Sequence, residues 1–238
     1  MQAFVAILRY DLGQLTRSWL VRTWVALLAI PAVFLIVVAA NEGELASETM
    51  AAYLAAVYAP LSAVAIAVIA AGAINGESSV VADSVLSRSV TRTEYIAAKI
   101  AARLSVTMGI YFVLLVPFAY LIVRYAVSDT SVAGIAIGLL MVASLLIFVA
   151  SVGMLLSTFM ENILFAVLIL LVGTLVSGVV LDFLGLSWMS TTAVVAQLPH
   201  TFRGETAIWQ ELRVLVAFSA LSAAALFGSV WLFRRKDL

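Results

Sequence analysis

Residues 163–184 read Ile163-Leu164-Phe165-Ala166-Val167-Leu168-Ile169-Leu170-Leu171-Val172-Gly173-Thr174-Leu175-Val176-Ser177-Gly178-Val179-Val180-Leu181-Asp182-Phe183-Leu184. Its one charged group, Asp182, stands near the end. A helix of about 20 such residues crosses the hydrocarbon core of a bilayer, roughly 30 Å thick. In lipid a spanning segment must satisfy its backbone groups within itself, which selects the α-helix. This stretch is therefore read as a membrane span, and the rest of the chain follows its lead.

Working outward, five more segments meet the same test. The six spans lie near residues 22–40, 52–74, 100–123, 132–156, 163–184 and 213–233. Composition agrees: 65% of the 238 residues are hydrophobic and 11% charged, with a mean hydropathy of +1.17. A soluble domain is about half apolar and about a quarter charged, so lipid must solvate much of this chain. The expected fold is an all-α membrane protein in one transmembrane domain, residues 1–238.

Lys and Arg orient the spans. Arg9, Arg17, Arg22, Arg88, Arg92, Lys99, Arg103, Arg234, Arg235 and Lys236 fall on the side of the termini, against Arg124, Arg203 and Arg213 on the other. This predicts cytoplasmic termini in a multi-pass protein of the plasma or inner membrane. The first outer loop, residues 41–48, is acidic and without a cation, as an outer loop should be. Arg9, Asp11 and Arg17 interrupt the N-terminal stretch, so a cleaved signal is not expected. Instead Phe4, Val5, Leu8, Leu12, Leu15 and Trp19 recur at helical spacing with Arg9, Gln14 and Arg17 largely opposite. Residues 3–19 are expected to form an amphipathic interfacial helix. In the last outer loop, 185–212, the apolar piece 186–198 ends at Pro199 and His200. It reads equally as an interfacial or re-entrant helix or as a packed surface loop.

Several chemistries are missing. No acidic residue falls at mid-depth in these spans, which disfavours an ion-coupled carrier, and no channel filter is visible. Arg103, just inside the third span, is expected to snorkel toward the interface. His200 is the only histidine, so neither a His triad nor a multi-His metal site can form in one chain. Cysteine is absent, which removes disulfides, thiolate metal sites and cysteine nucleophiles. No G-x-x-x-x-G-K-[ST] phosphate loop occurs. Zero formal charge gives no reason to expect nucleic acid. The chain is therefore expected to be non-catalytic and to hold no metal. Gly72-x-x-x-Gly76 and Gly134-x-x-x-Gly138 match the small-residue packing pattern, but such matches are common by chance in a Gly- and Ala-rich chain. Pro117 is a candidate kink in the third span.

The polar stretch 75–99 is long enough to hold a short helix. Val80, Val81, Val85 and Leu86 fit one face, and Asp83, Arg88 and Arg92 supply charge for a partner. Ser87 and Thr91 suit capping. A plain connector whose cations merely fix topology fits the residues equally well.

The string Glu77, then Ser84-Val85-Leu86-Ser87-Arg88-Ser89-Val90-Thr91-Arg92, then Lys99 resembles the first cytoplasmic loop of type-2 ABC exporter permeases. Leu86-Ser87-Arg88, Val90, Arg92 and Lys99 match that family's pattern. Ala82-Asp83 stands where Gly-Thr is usual, Ser89 replaces a proline, and Ala98 replaces a glycine. The interfacial helix, six spans and long last outer loop fit as well. The resemblance implies a coupling helix that docks on a separate ATPase, with Glu77, Asp83, Val85, Leu86, Ser87, Arg88, Val90, Thr91 and Arg92 as contacts. A second contact would come from Ser157, Thr158, Phe159, Glu161 and Asn162 in the tight turn before the fifth span. It further implies two ATPase subunits, which would bind the ATP and Mg, and a second permease copy as homodimer or close paralogue. An extracytoplasmic protein is a further candidate partner. The function implied is an ATP-driven permease, an exporter; the alternative is a mechanical transmitter that moves no substrate. No substrate residue is legible.

Overall fold

The structure, a computed structural model, describes residues 2–75, 91–160 and 162–235. It is all α-helical apart from turns and one isolated bridge between Leu45 and Val127. Among the described residues six helical segments are long and apolar enough to cross a membrane, as the sequence predicts.

Helix α1 (Gln2–Arg17) comes first. Ser18 then breaks the chain into an extended conformation and caps α2 (Trp19–Glu42), accepting the Val21 N–H. Residues 2–17 and the first span are thus two separate helices. Gly43, at φ +70°, ends α2 in the left-handed region where only glycine is unstrained. The second span is composite: α3 (Ala46–Tyr53), a π-helical turn (Leu54–Tyr58) and α4 (Ala59–Asn75).

After the undescribed 76–90, α5 runs from Arg92 to Tyr125. At ~1.5 Å per residue its 34 residues extend about 50 Å, well beyond a bilayer core. It begins eight residues ahead of the apolar run because Thr91 and Glu94 form a capping box there. Pro117 lies inside α5 without ending it, and Pro31 does the same in α2. Helix α6 spans Val132–Phe159, and α7 spans Ile163–Phe183. A short 3-10 turn (Ser187–Met189) leads to α8 (Thr191–Arg203), and α9 (Ile208–Arg235) closes the bundle.

Helix α6 is the central post. It packs against α9 on one side and α4 on another, while α1 and α2 lie along α5. Close approach between α6 and α4 has a local cause: a Cβ on Gly153 would stand 2.7 Å from Ala70 Cβ. Phenolic hydroxyls join spans where lipid offers no water: Tyr53 donates to the Leu28 carbonyl (2.9 Å) and Tyr111 to that of Leu139 (2.7 Å). Helix α7 is peripheral and buries only Ala166 and Leu170.

The polar connections gather at two ends. The start of α5 meets α1 and the last turn of α9 at the terminal end. The opposite, far end holds the starts of α3, α6 and α9 and the close of α8. There most of the apolar piece of the last outer loop is helical, as α8. Gly185 (φ +72°) turns the chain, and Ser190 and Thr192 lie against Gly178, part-way down α7. The helix then climbs to Phe202, whose carbonyl accepts the N–H of Ser131 at the head of α6. This is a short helix packed against α3, α6 and α7. It also continues through Pro199, where the sequence was expected to stop it. Leu198 and Phe202, both fully buried, hold the helix across the proline's missing hydrogen bond.

Candidate functional site

Most of the expected docking loop falls outside the described residues: Glu77, Asp83, Val85, Leu86, Ser87, Arg88 and Val90, with Glu161 of the second contact. What the structure describes is where that loop delivers the chain. Thr91 is the N-cap of α5. Its Oγ1 accepts the Glu94 N–H at 3.2 Å, and Glu94 Oε2 accepts from the Thr91 hydroxyl at 3.0 Å and from its N–H at 3.4 Å. The capping role expected for Thr91 is therefore present, and Arg92 opens the first helical turn.

Below this cap, Tyr95, Lys99 and Arg103 repeat every four residues along one face. Opposite them, on α1, stands Asp11. Its Oδ1 accepts from Lys99 Nζ at 3.1 Å and its Oδ2 from Arg103 Nη1 at 2.5 Å. All three side chains are less than a tenth exposed. Two cations share one carboxylate in a dry setting, where attraction is strong and desolvation is costly. Arg103 was expected to snorkel to the interface; instead it is buried and paired, because α1 brings a carboxylate within reach. Arg103 Nε is buried with no hydrogen-bond partner among the described residues. Tyr95 stacks on Phe233 of α9 at 5.8 Å between ring centroids, and Lys99 Nζ lies 5.4 Å from the Tyr95 ring. One face of α5 thereby fastens both α1 and α9.

The second expected contact region shares this end. Ser157 Oγ donates to the Ala71 carbonyl at 2.8 Å, tying the last turn of α6 to α4 just before Asn75. Thr158 Oγ1 donates to the Leu155 carbonyl within its own helix. Both residues are buried, whereas Phe159 is 60% exposed. Asn162 caps α7, its Oδ1 accepting the N–H groups of Leu164 and Phe165.

No family model and no curated protein matches this chain. Among the described residues no three His, Asp or Glu side chains gather as a metal ion would require.

A second polar constellation, at the far end, was not read as a unit from sequence. Helix α3 has no side-chain cap of its own, since its N-cap is Leu45. Asp129, from the α5–α6 connection, supplies one: its Oδ1 accepts the Ser47 N–H at 2.9 Å and its Oδ2 the Ser47 hydroxyl at 2.5 Å. Arg203, the last residue of α8, completes the group. Its Nε reaches Ser47 Oγ (2.9 Å) and Asp129 Oδ2 (3.1 Å), and its Nη2 reaches Glu48 Oε1 (2.6 Å). Partial burial works to raise the Asp129 carboxyl, but the Ser47 and Arg203 hydrogen bonds outweigh it and hold the group below the usual carboxylate range. The Glu48 and Asp129 hydrogen bonds raise the Arg203 guanidinium in turn.

The Gly134-x-x-x-Gly138 motif belongs here as well. A Cβ on Gly134 would collide with the carbonyls of Thr201 and Phe202, and one on Gly138 with the Phe202 ring. The motif read as a chance match is the seat of α8. Gly72, of the other match, has nothing near its Cβ position.

Proposed function

We propose that this chain is the membrane subunit of an ATP-driven ABC-type transporter, an exporter that takes its energy from a separate ATPase through residues 77–92. The observation that carries the reading is the string Leu86-Ser87-Arg88 with Val90, Arg92 and Lys99, set between the second and third of six spans. In this reading both termini are cytoplasmic, two such subunits pair, and each docks on one ATPase subunit that binds ATP and Mg.

The arrangement below Thr91 supports the reading. A displacement of the loop enters α5 at its capped first turn. Asp11, held by Lys99 and Arg103, makes α1 move with α5, and the Tyr95–Phe233 stack adds α9. A ligand or partner shifts such an equilibrium only by binding one state better than the other. ATP-driven closure of the ATPase pair would supply that bias, with α1 and α5 acting as one lever.

The test is co-purification. Arg88→Glu combined with Arg92→Glu should release the ATPase while the permease still inserts. Retention of the ATPase after both changes would overturn the docking assignment.

One observation favours a second reading, a transmitter that moves no substrate. The 185–212 segment is folded and clamped through Arg203, so motion of the spans can reach the far-end surface. Deleting part of this segment separates the two. Loss of transport with partner binding intact supports the permease. ATP-dependent change in an outer partner, without transport in any reconstituted system, supports the transmitter.

A further inference from the structure

A cavity of about 420 Å³ opens among the π-turn Leu54–Tyr58, α4, α6, α7 and α8. This falls within the range of roughly 300–1,000 Å³ usual for small-molecule sites. Its floor is made of Leu54, Tyr58, Val142, Leu146, Val149 and Leu198, of which all are buried. Among the described residues no Asp, Glu, Lys, Arg or His lines it. The few hydroxyl groups on its wall are those of Tyr58, Thr174, Thr191 and Thr192, and Thr174 already donates to the Leu171 carbonyl. A charged guest would be stranded here without a counter-charge.

The position of the mouth decides the class of guest. Its exposed rim consists of Ala55, Pro60, Leu175, Thr192 and Ala196. Ala55 lies nine positions below the start of α3, and Leu175 eight positions before the end of α7. At ~1.5 Å per residue both sit on the order of 12 Å or more from the span ends. The opening therefore faces sideways, at a depth where the surrounding medium is hydrocarbon. An apolar cavity stays empty of water and takes apolar matter instead. One wall is the π-turn Leu54–Tyr58, a distortion found disproportionately at functional sites.

We propose that this cavity is a binding site for one hydrocarbon chain of a membrane amphiphile, admitted laterally past Ala55 and Leu175. The chain comes either from a phospholipid or from a free single-chain amphiphile, and both present the same methylene surface to the floor. The proposal does not depend on the transporter reading, since binding is measured without nucleotide or ATPase.

The experiment uses the full-length protein in nanodiscs with two photoactivatable probes. One is palmitic acid carrying a mid-chain diazirine; the other is phosphatidylcholine bearing the same chain. Labelled peptides are mapped by mass spectrometry. The site predicts saturable labelling between Val142 and Val149 and at Val195–Leu198, competed by unlabelled palmitic acid or by excess phosphatidylcholine according to the source. Val179, 74% exposed on α7, is the control and should label in proportion to probe without saturating. Ala55→Trp and, separately, Ala196→Trp add bulk at exposed rim positions, outside the packed core. Either should cut cavity labelling to the level of Val179 without shifting thermal unfolding. Labelling that never saturates, or that survives both changes in folded protein, overturns the proposal. So does efficient disulfide cross-linking between copies bearing Ala55→Cys or Leu175→Cys, with no lipid label, because the mouth would then be covered by a second copy. The natural absence of cysteine makes that arm clean.

Discussion

The two ends of the bundle use the same chemistry in different solvents. At the terminal end, Asp11 binds Lys99 and Arg103 where all three side chains are less than a tenth exposed. At the far end, Arg203 binds Asp129 and Glu48 with its own side chain 22% and Glu48 59% exposed. A dry ion pair is strongly destabilised when one partner is removed, because the other charge is left without solvent. A wet one is screened and worth little singly. The terminal end is thus a lock between two helices, and the far end an adjustable clamp on α8.

The comparison can be broken most directly at Asp11. Asp11→Ala deprives the buried Arg103 guanidinium of its carboxylate, and should cost about 3–5 kcal/mol. Thermal unfolding in detergent, followed by tryptophan fluorescence, would measure it; a cost below about 1 kcal/mol would mean that water reaches this site. The next effect is steric. Gly134→Val should cost about 1–3 kcal/mol by overpacking and lift α8 from its seat, read as faster modification of a cysteine placed at the buried Val194. Unchanged reactivity there would separate the seat from the motif. Smaller still is Arg203→Ala, expected to lower the unfolding midpoint only slightly, by an amount that added salt reduces. A salt-insensitive loss would place this clamp with the dry class.

The smallest effect is a pH dependence confined to the far end. The folded state holds the Asp129 carboxyl lower than the unfolded chain does. Its stabilisation is therefore complete above the unfolded value, about 3.9, and fades as pH falls through the folded value. Unfolding curves from pH 7 to 3 should show this component in the wild type and lose it in Asp129→Asn. A component centred near pH 6 would point to another group.

The spans were legible because each is a long apolar run, and bilayer thickness leaves few other uses for one. Their ends were less so. The third span's helix starts at Arg92 rather than residue 100 because Thr91 and Glu94 cap it, a polar signal that hydropathy overlooks. Asp11 shows why the terminal lock was missed. It lies 88 and 92 positions from its partners, and pairing over that distance is decided by packing. A signal was nevertheless present: Phe4, Leu8, Asp11 and Leu15 form one stripe, with the acid inside the apolar face of α1. An acid in that place asks for a buried cation. The far-end clamp draws Ser47 from the start of α3, Asp129 from the α5–α6 connection and Arg203 from the end of α8, none of them distinctive alone. Gly134 and Gly138 were visible, but their partner is the half-turned helix α8, whose course past Pro199 depends on tertiary contacts.

The π-turn Leu54–Tyr58 leaves the second span out of phase with itself. It holds one residue more than an α-helical course would need, and that residue rotates everything beyond it by about 100°. The halves of the span consequently keep different company: α3 lies on α8, whereas α4 lies on α6 and α7. The span is a splice of two registers. Removing Ala56 would leave an apolar helix still long enough to cross a membrane, yet one whose far half has swung Ser47 and Glu48 away from Asp129 and Arg203. Membrane insertion and far-end assembly, which six long apolar runs make look like one property, would then come apart at a single residue.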